Sequence, residues 1–303
     1  MVVPARLGIY QLYKFLGEGA MGRVYLAKDP GLERDVAIKI LREDLNATPK
    51  MWGMLEEEAK AAAGIHHNNV IHIYTMGKTL GRPYIVMELA KESTLEYLME
   101  RAPLDEKNAI DIGIDVLHGL QAAAENLLMH GDVKPANILV GPPGYTKIAD
   151  FGLARFMQEG QPVERWGTPY YIAPEKSEQV QEDFRSDMYS LGTTLFHAVA
   201  GQAPFEGETG EEVIQKSLQA PTPILADSFP EISENFSTYI SILMARDPEN
   251  RFSTYEQAIT MLEGIRDGTQ TLSRVPESVQ ENPTLLKKIT QKLSALVHDS
   301  PTS

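Results

Sequence analysis

Residues 130–140 read His-Gly-Asp-Val-Lys-Pro-Ala-Asn-Ile-Leu-Val, and this stretch decides the fold. Its polar residues Asp132, Lys134 and Asn137 stand directly before a strand-like run, at positions that make little sense for a core element. Thirteen residues after Asn137, a second short apolar run ends in Asp150, followed by Phe and Gly. Two short strands that each present an Asp or Asn at one end can bring those side chains together on a metal–phosphate group.

The composition is that of an ordinary globular protein. The chain has 303 residues, 43% hydrophobic and 23% charged, which is enough for two lobes with a core. The net charge of −14 argues against broad nucleic-acid binding through phosphate neutralisation. Because the sequence has no cysteine, disulfides, thiol nucleophiles and thiolate metal sites are excluded. No apolar run reaches the length of about 18 residues that a membrane span needs, and the N-terminus lacks a signal peptide's apolar run. We therefore expect no membrane span and a cytoplasmic location.

A glycine-rich turn lies between two strand-like segments near the N-terminus. Residues 17–22 read Gly-Glu-Gly-Ala-Met-Gly and join one strand to another, whereas the glycines of a dinucleotide fingerprint open a helix. An ordinary hairpin turn is the alternative interpretation of this motif alone. With Val24 following, the turn resembles the loop that covers the phosphates of ATP in protein kinases, where glycines allow close approach of the backbone.

Taken together, the motifs resemble those of the eukaryotic-type (Hanks-type) serine/threonine protein kinases. The sequence of residues 130–137 looks most like that of the bacterial members. The glycine turn is followed in the family's order, at matching spacings, by Lys39, Asp132, Lys134, Asn137 and Asp150. The resemblance implies a two-lobed α+β fold over residues 10–266. The N-lobe, residues 10–90, should be mainly antiparallel sheet with one helix, and the C-lobe, residues 91–266, should be mainly helical. Residues 267–303 are predicted to be a linker and a C-terminal amphipathic helix.

Two helices at the start of the C-lobe have recognisable sequence patterns. Ser93 and Thr94 can cap a short helix that runs through Met99. An apolar repeat predicts a long helix over 105–128, with Leu127 on its apolar side.

The resemblance implies an ATP site between the lobes. Lys39, at the end of a strand, would contact the α- and β-phosphates and pair with Glu58 on the next helix. Glu56 and Glu57 are alternatives to Glu58, since three consecutive glutamates leave the register open. The other residues expected at the nucleotide are Leu16, Gly17, Gly19, Gly22, Val24, Ala37, Met87, Glu88, Ala90 and Leu139.

The same resemblance assigns the chemistry. Asp132 would orient a substrate hydroxyl and accept its proton, and Lys134 would neutralise charge on the γ-phosphate. Asn137 and Asp150 would hold Mg²⁺, with Mn²⁺ as an alternative, because such cations prefer oxygen ligands. The chain is thus expected to transfer the γ-phosphate of ATP to Ser or Thr of protein substrates.

Two features predict that activity does not depend on phosphorylation of the activation loop. The commoner form of the family has, in place of Gly131, an Arg that pairs with a phosphate on that loop. In this chain, residues 151–167 contain no Ser, Thr or Tyr.

Residues 167–175 read Gly-Thr-Pro-Tyr-Tyr-Ile-Ala-Pro-Glu and resemble the substrate-docking loop of protein kinases. Thr168 together with Lys134 is typical of members specific for Ser and Thr. The resemblance also implies that Glu175 pairs with Arg251 and that Asp187 braces the backbone of the 130–137 loop.

Two other functions remain as alternatives. A nucleotide-binding pseudokinase or scaffold usually lacks the strand Lys, the catalytic Asp or the metal Asp, and this chain has Lys39, Asp132 and Asp150. A small-molecule kinase generally lacks a segment like 167–175. The sequence does not indicate the oligomeric state or the physiological substrate.

Overall fold

The N-terminal part of the chain is a curled antiparallel sheet, as seen in a computed structural model that describes residues 6–19, 22–41, 49–79, 82–90, 92–142, 144–151, 169–177 and 182–272. Within those ranges the sheet has six strands in the order β1-β2-β3-β4-β6-β5. They are β1 (Arg6–Leu7), β2 (Tyr10–Gly19), β3 (Gly22–Asp29), β4 (Arg34–Leu41), β5 (Ile73–Thr79) and β6 (Arg82–Met87).

Alternation of buried and exposed residues explains why these segments form strands. In β3, Tyr25 and Ala27 are buried and their neighbours are not, so one face of the strand packs on a core and the other meets solvent. The core beneath the sheet includes Leu12, Val36 and Ile38. Helix α1 (Pro49–Ala63) packs beside β5.

The rest of the described chain is mainly helical. Its helices are α2 (Leu95–Met99), α3 (Glu106–Glu125), α4 (Pro174–Ser177), α5 (Arg185–Ala200), α6 (Gly210–Gln219), α7 (Leu225–Ser228), α8 (Glu234–Leu243) and α9 (Tyr255–Arg266). A small sheet of β7 (Ser93–Thr94), β8 (Ile138–Val140) and β9 (Thr146–Ile148) lies where the two parts meet. The predicted two-lobed α+β architecture is confirmed.

The predicted cap of α2 is also confirmed, because the Thr94 hydroxyl accepts a hydrogen bond from the Tyr97 N–H at 3.2 Å. No helix in the ranges given above is both long enough and apolar enough to cross a membrane.

The end of α3 differs from the prediction. The helix stops at Glu125, and Leu127 is 97% exposed with φ of 57°. The N–H of Leu128 donates to the Ala123 carbonyl at 3.0 Å, and that of Leu127 donates to the Ala124 carbonyl at 2.9 Å. This pair of bonds is a Schellman motif, in which the residue after the cap adopts a left-handed conformation. The reversal turns Leu127 outward and buries Leu128 instead.

The segment between α1 and β5 joins the two lobes. The Asn69 carbonyl accepts the Ile148 N–H at 2.9 Å, and the Ile148 carbonyl accepts the Ile71 N–H at 3.0 Å. The Asn69 side-chain amide also donates to the Thr146 carbonyl at 2.9 Å. Strand β9, which leads into Asp150, is therefore held by the N-lobe as well as by β8.

At the C-terminal end, the described chain continues beyond α9 to Leu272, which is 4% exposed. Its N–H donates to the Asn235 side chain at 2.9 Å. The domain limit at residue 266 stays a prediction. The C-terminal amphipathic helix predicted within 267–303 begins beyond residue 272, outside the described residues.

Candidate active site

Lys39 and Asp150 form a close ion pair between the lobes. Lys39 lies in the middle of the sheet, where β4 pairs with β3 on one side and β6 on the other, and its side chain is 5% exposed. Its ammonium nitrogen lies 2.8 Å from Oδ2 of Asp150, which follows β9. Asp150 has φ of 66°, a left-handed conformation that is uncommon outside glycine and occurs frequently at functional sites.

The charge of Lys39 sets the protonation of Asp150. Burial alone would raise the pKa of this carboxyl, but the charge and hydrogen bond of Lys39 outweigh it, so the pKa of Asp150 lies below its ordinary value. An ionised carboxylate is the form that binds a cation.

Asp132, Lys134 and Asn137 form a second cluster. The Lys134 ammonium lies 2.7 Å from Oδ2 of Asp132. The Asn137 side-chain nitrogen donates to the same Oδ2 at 3.0 Å and to the Asp132 carbonyl oxygen at 2.8 Å. The short turn Pro135–Asn137 brings Asn137 back to Asp132. These contacts hold the Asp132 carboxylate in one orientation.

The two clusters are adjacent because β8 and β9 are paired. Ile138 faces Ile148 in this pairing, and the Ala149 N–H donates to the Asn137 carbonyl at 2.9 Å. Asn137 and Asp150 therefore stand at the same end of a two-strand ladder. The Asn137 amide nitrogen is used by Asp132, so its amide oxygen is the atom suited to a hard cation.

Helix α5 holds the backbone that leads into Asp132. Asp187, in the first turn of α5, accepts the N–H groups of His130 and Gly131 at 2.8 Å each. The predicted bracing by Asp187 is confirmed. Burial raises the pKa of this carboxyl, although His130 and the two N–H groups oppose that effect.

The imidazole of His130 links the two clusters. Its Nδ1 accepts the Asp132 N–H at 3.1 Å, so Nε2 carries the proton and donates to the Ala149 carbonyl at 2.9 Å. Burial lowers the pKa of His130, which keeps the ring neutral as this bonding requires. The ring also packs edge-on against Phe151, with centroids 4.6 Å apart.

The glycine turn leaves room for a ligand at two of its three glycines. A Cβ added at Gly17 or Gly19 would meet no other atom within 4 Å. A Cβ at Gly22 would collide with the carbonyl oxygen of Ile40, so this glycine is required by strand packing. Packing gives no reason for glycine at 17 and 19, which fits close approach of their backbone to phosphates. Ala20 and Met21, at the tip, lie outside the described residues.

The residues predicted at the nucleotide lie along the sheet and in the segment directly after β6 (residues 88–90), here called the hinge. Ala37 pairs with Leu26 of β3 and with Met87 at the end of β6, and Gly17 pairs with Val24. Ala90 lies just after β6 and Leu139 lies in β8. Leu16 is 44% exposed, as expected at the rim of an open cleft.

Glu88 makes side-chain contacts that the sequence did not predict. Its carboxylate accepts hydrogen bonds from the Lys147 ammonium at 3.0 Å and from the His72 N–H at 3.3 Å. The hinge is thereby fastened to β9. No sequence signal marks Lys147, because a lysine in a short strand is most often exposed.

Glu58 lies on α1, where burial distinguishes it from its neighbours. Glu56 and Glu57 are exposed, whereas Glu58 is half-buried. The described ion pair of Lys39 is with Asp150, and the Lys39–Glu58 pair stays a prediction.

The predicted Glu175–Arg251 pair is confirmed. The two terminal nitrogens, Nη1 and Nη2, of the Arg251 guanidinium donate to the Glu175 carboxylate, at 2.7 and 2.8 Å, and the Ser186 hydroxyl donates to it at 2.6 Å. Thr168 lies outside the described residues, as do residues 152–167.

Comparisons with known proteins agree with this geometry. The sequence model described as protein kinase domain matches residues 10–261. The chain is 33% identical to the serine/threonine-protein kinase PrkC of Bacillus subtilis over 294 residues, which cover 95% of this chain and 45% of PrkC. It is 34% identical to the serine/threonine-protein kinase PknB of Mycobacterium leprae over 264 residues, 84% of this chain and 42% of PknB. The chain thus spans less than half the length of these curated relatives. Among solved structures, the kinase domain of Mycobacterium tuberculosis PknI superposes with a TM-score of 0.70 at 25% identity, covering 87% of this chain and 99% of that one.

Proposed function

Because the chain belongs to the protein kinase domain family, we propose that it transfers the γ-phosphate of ATP to Ser or Thr hydroxyls of protein substrates. The observation that carries this proposal is the adjacency of two ordered clusters, Lys39 with Asp150 and Asp132 with Lys134 and Asn137. Phosphoryl transfer needs placement and charge neutralisation more than covalent participation by the protein, and these clusters supply both.

Each side chain has a role that follows from its contacts. The Asp132 carboxylate, held by Lys134 and Asn137, would orient the acceptor hydroxyl and take its proton as the oxygen–phosphorus bond forms. Lys134 would neutralise charge on the γ-phosphoryl oxygens, and Lys39 would hold the other phosphates while keeping Asp150 ionised. Asn137 and Asp150 would bind Mg²⁺, whose charge neutralises the phosphates of ATP.

We further propose that activity is independent of phosphorylation in the activation loop. Gly131 offers no side chain to bind a loop phosphate, and residues 151–167 contain no acceptor hydroxyl. Use of ATP also fits a cytoplasmic location for this domain.

The test is transfer of labelled γ-phosphate from ATP and Mg²⁺ to a generic basic protein, using phosphatase-treated enzyme. We expect label on Ser or Thr, and a loss of at least about a hundredfold in Asp150→Asn because the metal ligand is weakened. Asp35→Asn is the matched control, since Asp35 also pairs with a lysine, at 3.2 Å, but on the exposed side of the sheet.

The two other outcomes are distinguishable. If wild-type enzyme transfers no label while ATP still raises its melting temperature, the proposed transfer by this chain alone is wrong, and the result indicates a nucleotide-binding pseudokinase or a missing activating partner. If activity requires prior phosphorylation, the proposed independence is wrong and the kinase function stands.

A further inference from the structure

Lys176 is a buried lysine next to the 130–137 loop. It directly follows Glu175 and is 6% exposed. Its ammonium nitrogen donates a hydrogen bond of 2.7 Å to the carbonyl oxygen of Gly131. A lysine is rarely buried unless its charge has a partner, so this contact calls for an explanation.

The carbonyl that Lys176 contacts belongs to the peptide group that joins Gly131 to Asp132. Asp187 binds the N–H groups of His130 and Gly131. In addition, Lys176 donates to the carbonyl of Gly131. A carboxylate and an ammonium from two different helices thus hold the donors and the acceptor of the same short segment.

The backbone at Gly131 needs such support. Its φ is 74°, in the left-handed region, and glycine is the residue with the most conformational freedom. A glycine with no side chain to anchor it would otherwise let the Gly131–Asp132 peptide rotate. Any rotation there would move the Asp132 carboxylate away from Lys134 and Asn137.

We propose that Lys176 is a positioning residue that fixes the Gly131–Asp132 peptide and thereby the Asp132 carboxylate. The inference rests on the proposed kinase function and adds to it a residue that orients Asp132.

The test compares Lys176→Met with Lys216→Met. Methionine keeps most of the aliphatic stem and removes the donor. Lys216, on α6, donates a similar hydrogen bond of 2.6 Å to the Glu206 carbonyl, but at an exposed site.

We expect kcat to fall roughly ten- to a hundredfold in Lys176→Met because the reacting group is misplaced. KM for ATP should stay within about twofold, since Lys176 makes no contact with the proposed phosphate-binding residues Lys39 or Asp150. Lys216→Met should retain both constants.

Hydrogen exchange provides a second measurement that does not depend on activity. The amides of His130, Gly131 and Asp132 are all hydrogen-bonded. They should exchange faster in Lys176→Met and at the wild-type rate in Lys216→Met. Thermal unfolding shows whether each variant is folded, and Lys176→Gln, which keeps a shorter donor, replaces Lys176→Met if the latter does not fold.

Faster exchange together with lower kcat supports the inference. Unchanged exchange, or a kcat within twofold of wild type, overturns it and leaves the proposed function standing. If wild-type protein transfers no phosphate, the proposed function fails, and the exchange measurement alone decides whether Lys176 orders the loop.

Discussion

Lys39 is a lysine that the fold buries in the middle of a sheet. Its ammonium nitrogen lies 2.8 Å from Oδ2 of Asp150. Because a buried charge is costly without a partner, the pair keeps the Asp150 carboxylate ionised where a cation and phosphates would bind.

Replacement of Lys39 by Met should therefore abolish most activity. We expect phosphate transfer to fall at least about a hundredfold, because a charge that contacts the phosphates is lost. The pKa of Asp150 should also rise, since burial is then opposed less strongly. Rates of transfer and the pH dependence of nucleotide binding measure these two effects. Lys28→Met, which removes an exposed partner of Asp35, should change neither. Wild-type activity in Lys39→Met would contradict the assignment.

Two glycine-to-alanine changes should have opposite effects on stability. Gly131→Ala forces a Cβ into a left-handed conformation, which costs about 1–2 kcal/mol. Gly53 lies inside α1 with open space around it, so Gly53→Ala should stabilise the protein by about 0.5–1 kcal/mol. The calorimetric melting temperature should therefore fall in Gly131→Ala and rise in Gly53→Ala. A stabilising Gly131→Ala would mean that the loop does not require the left-handed backbone.

Among the elements, the ladder of β8 and β9 does most to assemble the site. Each strand has three residues, and their pairing places Asn137 beside Ala149 and hence near Asp150. Such short strands have little stability of their own. They persist because Asn69 and Ile71 of the N-lobe bind β9 from the other side.

The Glu175–Arg251 pair fastens α4 to the chain that follows α8. Glu175→Gln should lower the free energy of unfolding by about 3 kcal/mol, because it leaves the buried guanidinium without its counter-charge. Glu249→Gln is the matched control, because Glu249 is 59% exposed in its pair with Arg185. This substitution should lower the free energy of unfolding by less than about 0.5 kcal/mol. Denaturant unfolding measures both values. Equal losses would show that burial does not strengthen the first pair.

The same pair makes stability depend on pH. Burial would raise the pKa of Glu175, but the hydrogen bonds and charge of Arg251 lower it below its ordinary 4.5. The unfolded chain therefore binds this proton more readily than the folded one. The stabilisation of the folded state by this ion pair is fully present above pH 4.5 and is lost as the pH falls through the pKa of Glu175 in the folded protein. Denaturant unfolding measured from about pH 6 down to about pH 3 should show a shallower pH dependence in Glu175→Gln than in wild type.

At the scale of the whole molecule, the described part of the helical lobe continues beyond α9, the last helix that the structure describes. Leu272 is 4% exposed in the main core, so Leu272→Ala should cost about 2–3 kcal/mol through loss of buried apolar surface and the cavity left behind. Leu127→Ala removes the same atoms at a position that is 97% exposed and should have almost no effect. Melting temperatures test this pair. If truncation after residue 266 left the melting temperature unchanged, Leu272 would not belong to the fold.

The resemblance of the motifs to a known family predicted the lobe order and the α+β architecture, and the sequence supplied the polar residues of the candidate site. These predictions were possible because the motifs appear in one order at matching spacings. Local patterns also predicted the cap at Thr94, while the resemblance supplied the partners of Glu175 and the bracing role of Asp187.

Two other contacts between distant residues were not predictable from the sequence. The Lys39–Asp150 pair joins residues on different lobes, and the Lys176–Gly131 contact joins residues 45 positions apart. A lysine carries no local sign that it will be buried, because its burial depends on a carbonyl or carboxylate brought to it by packing. Leu127 shows the opposite case. Apolar periodicity predicted that it would be buried, but the hydrogen bonds that end α3 leave its side chain exposed to solvent.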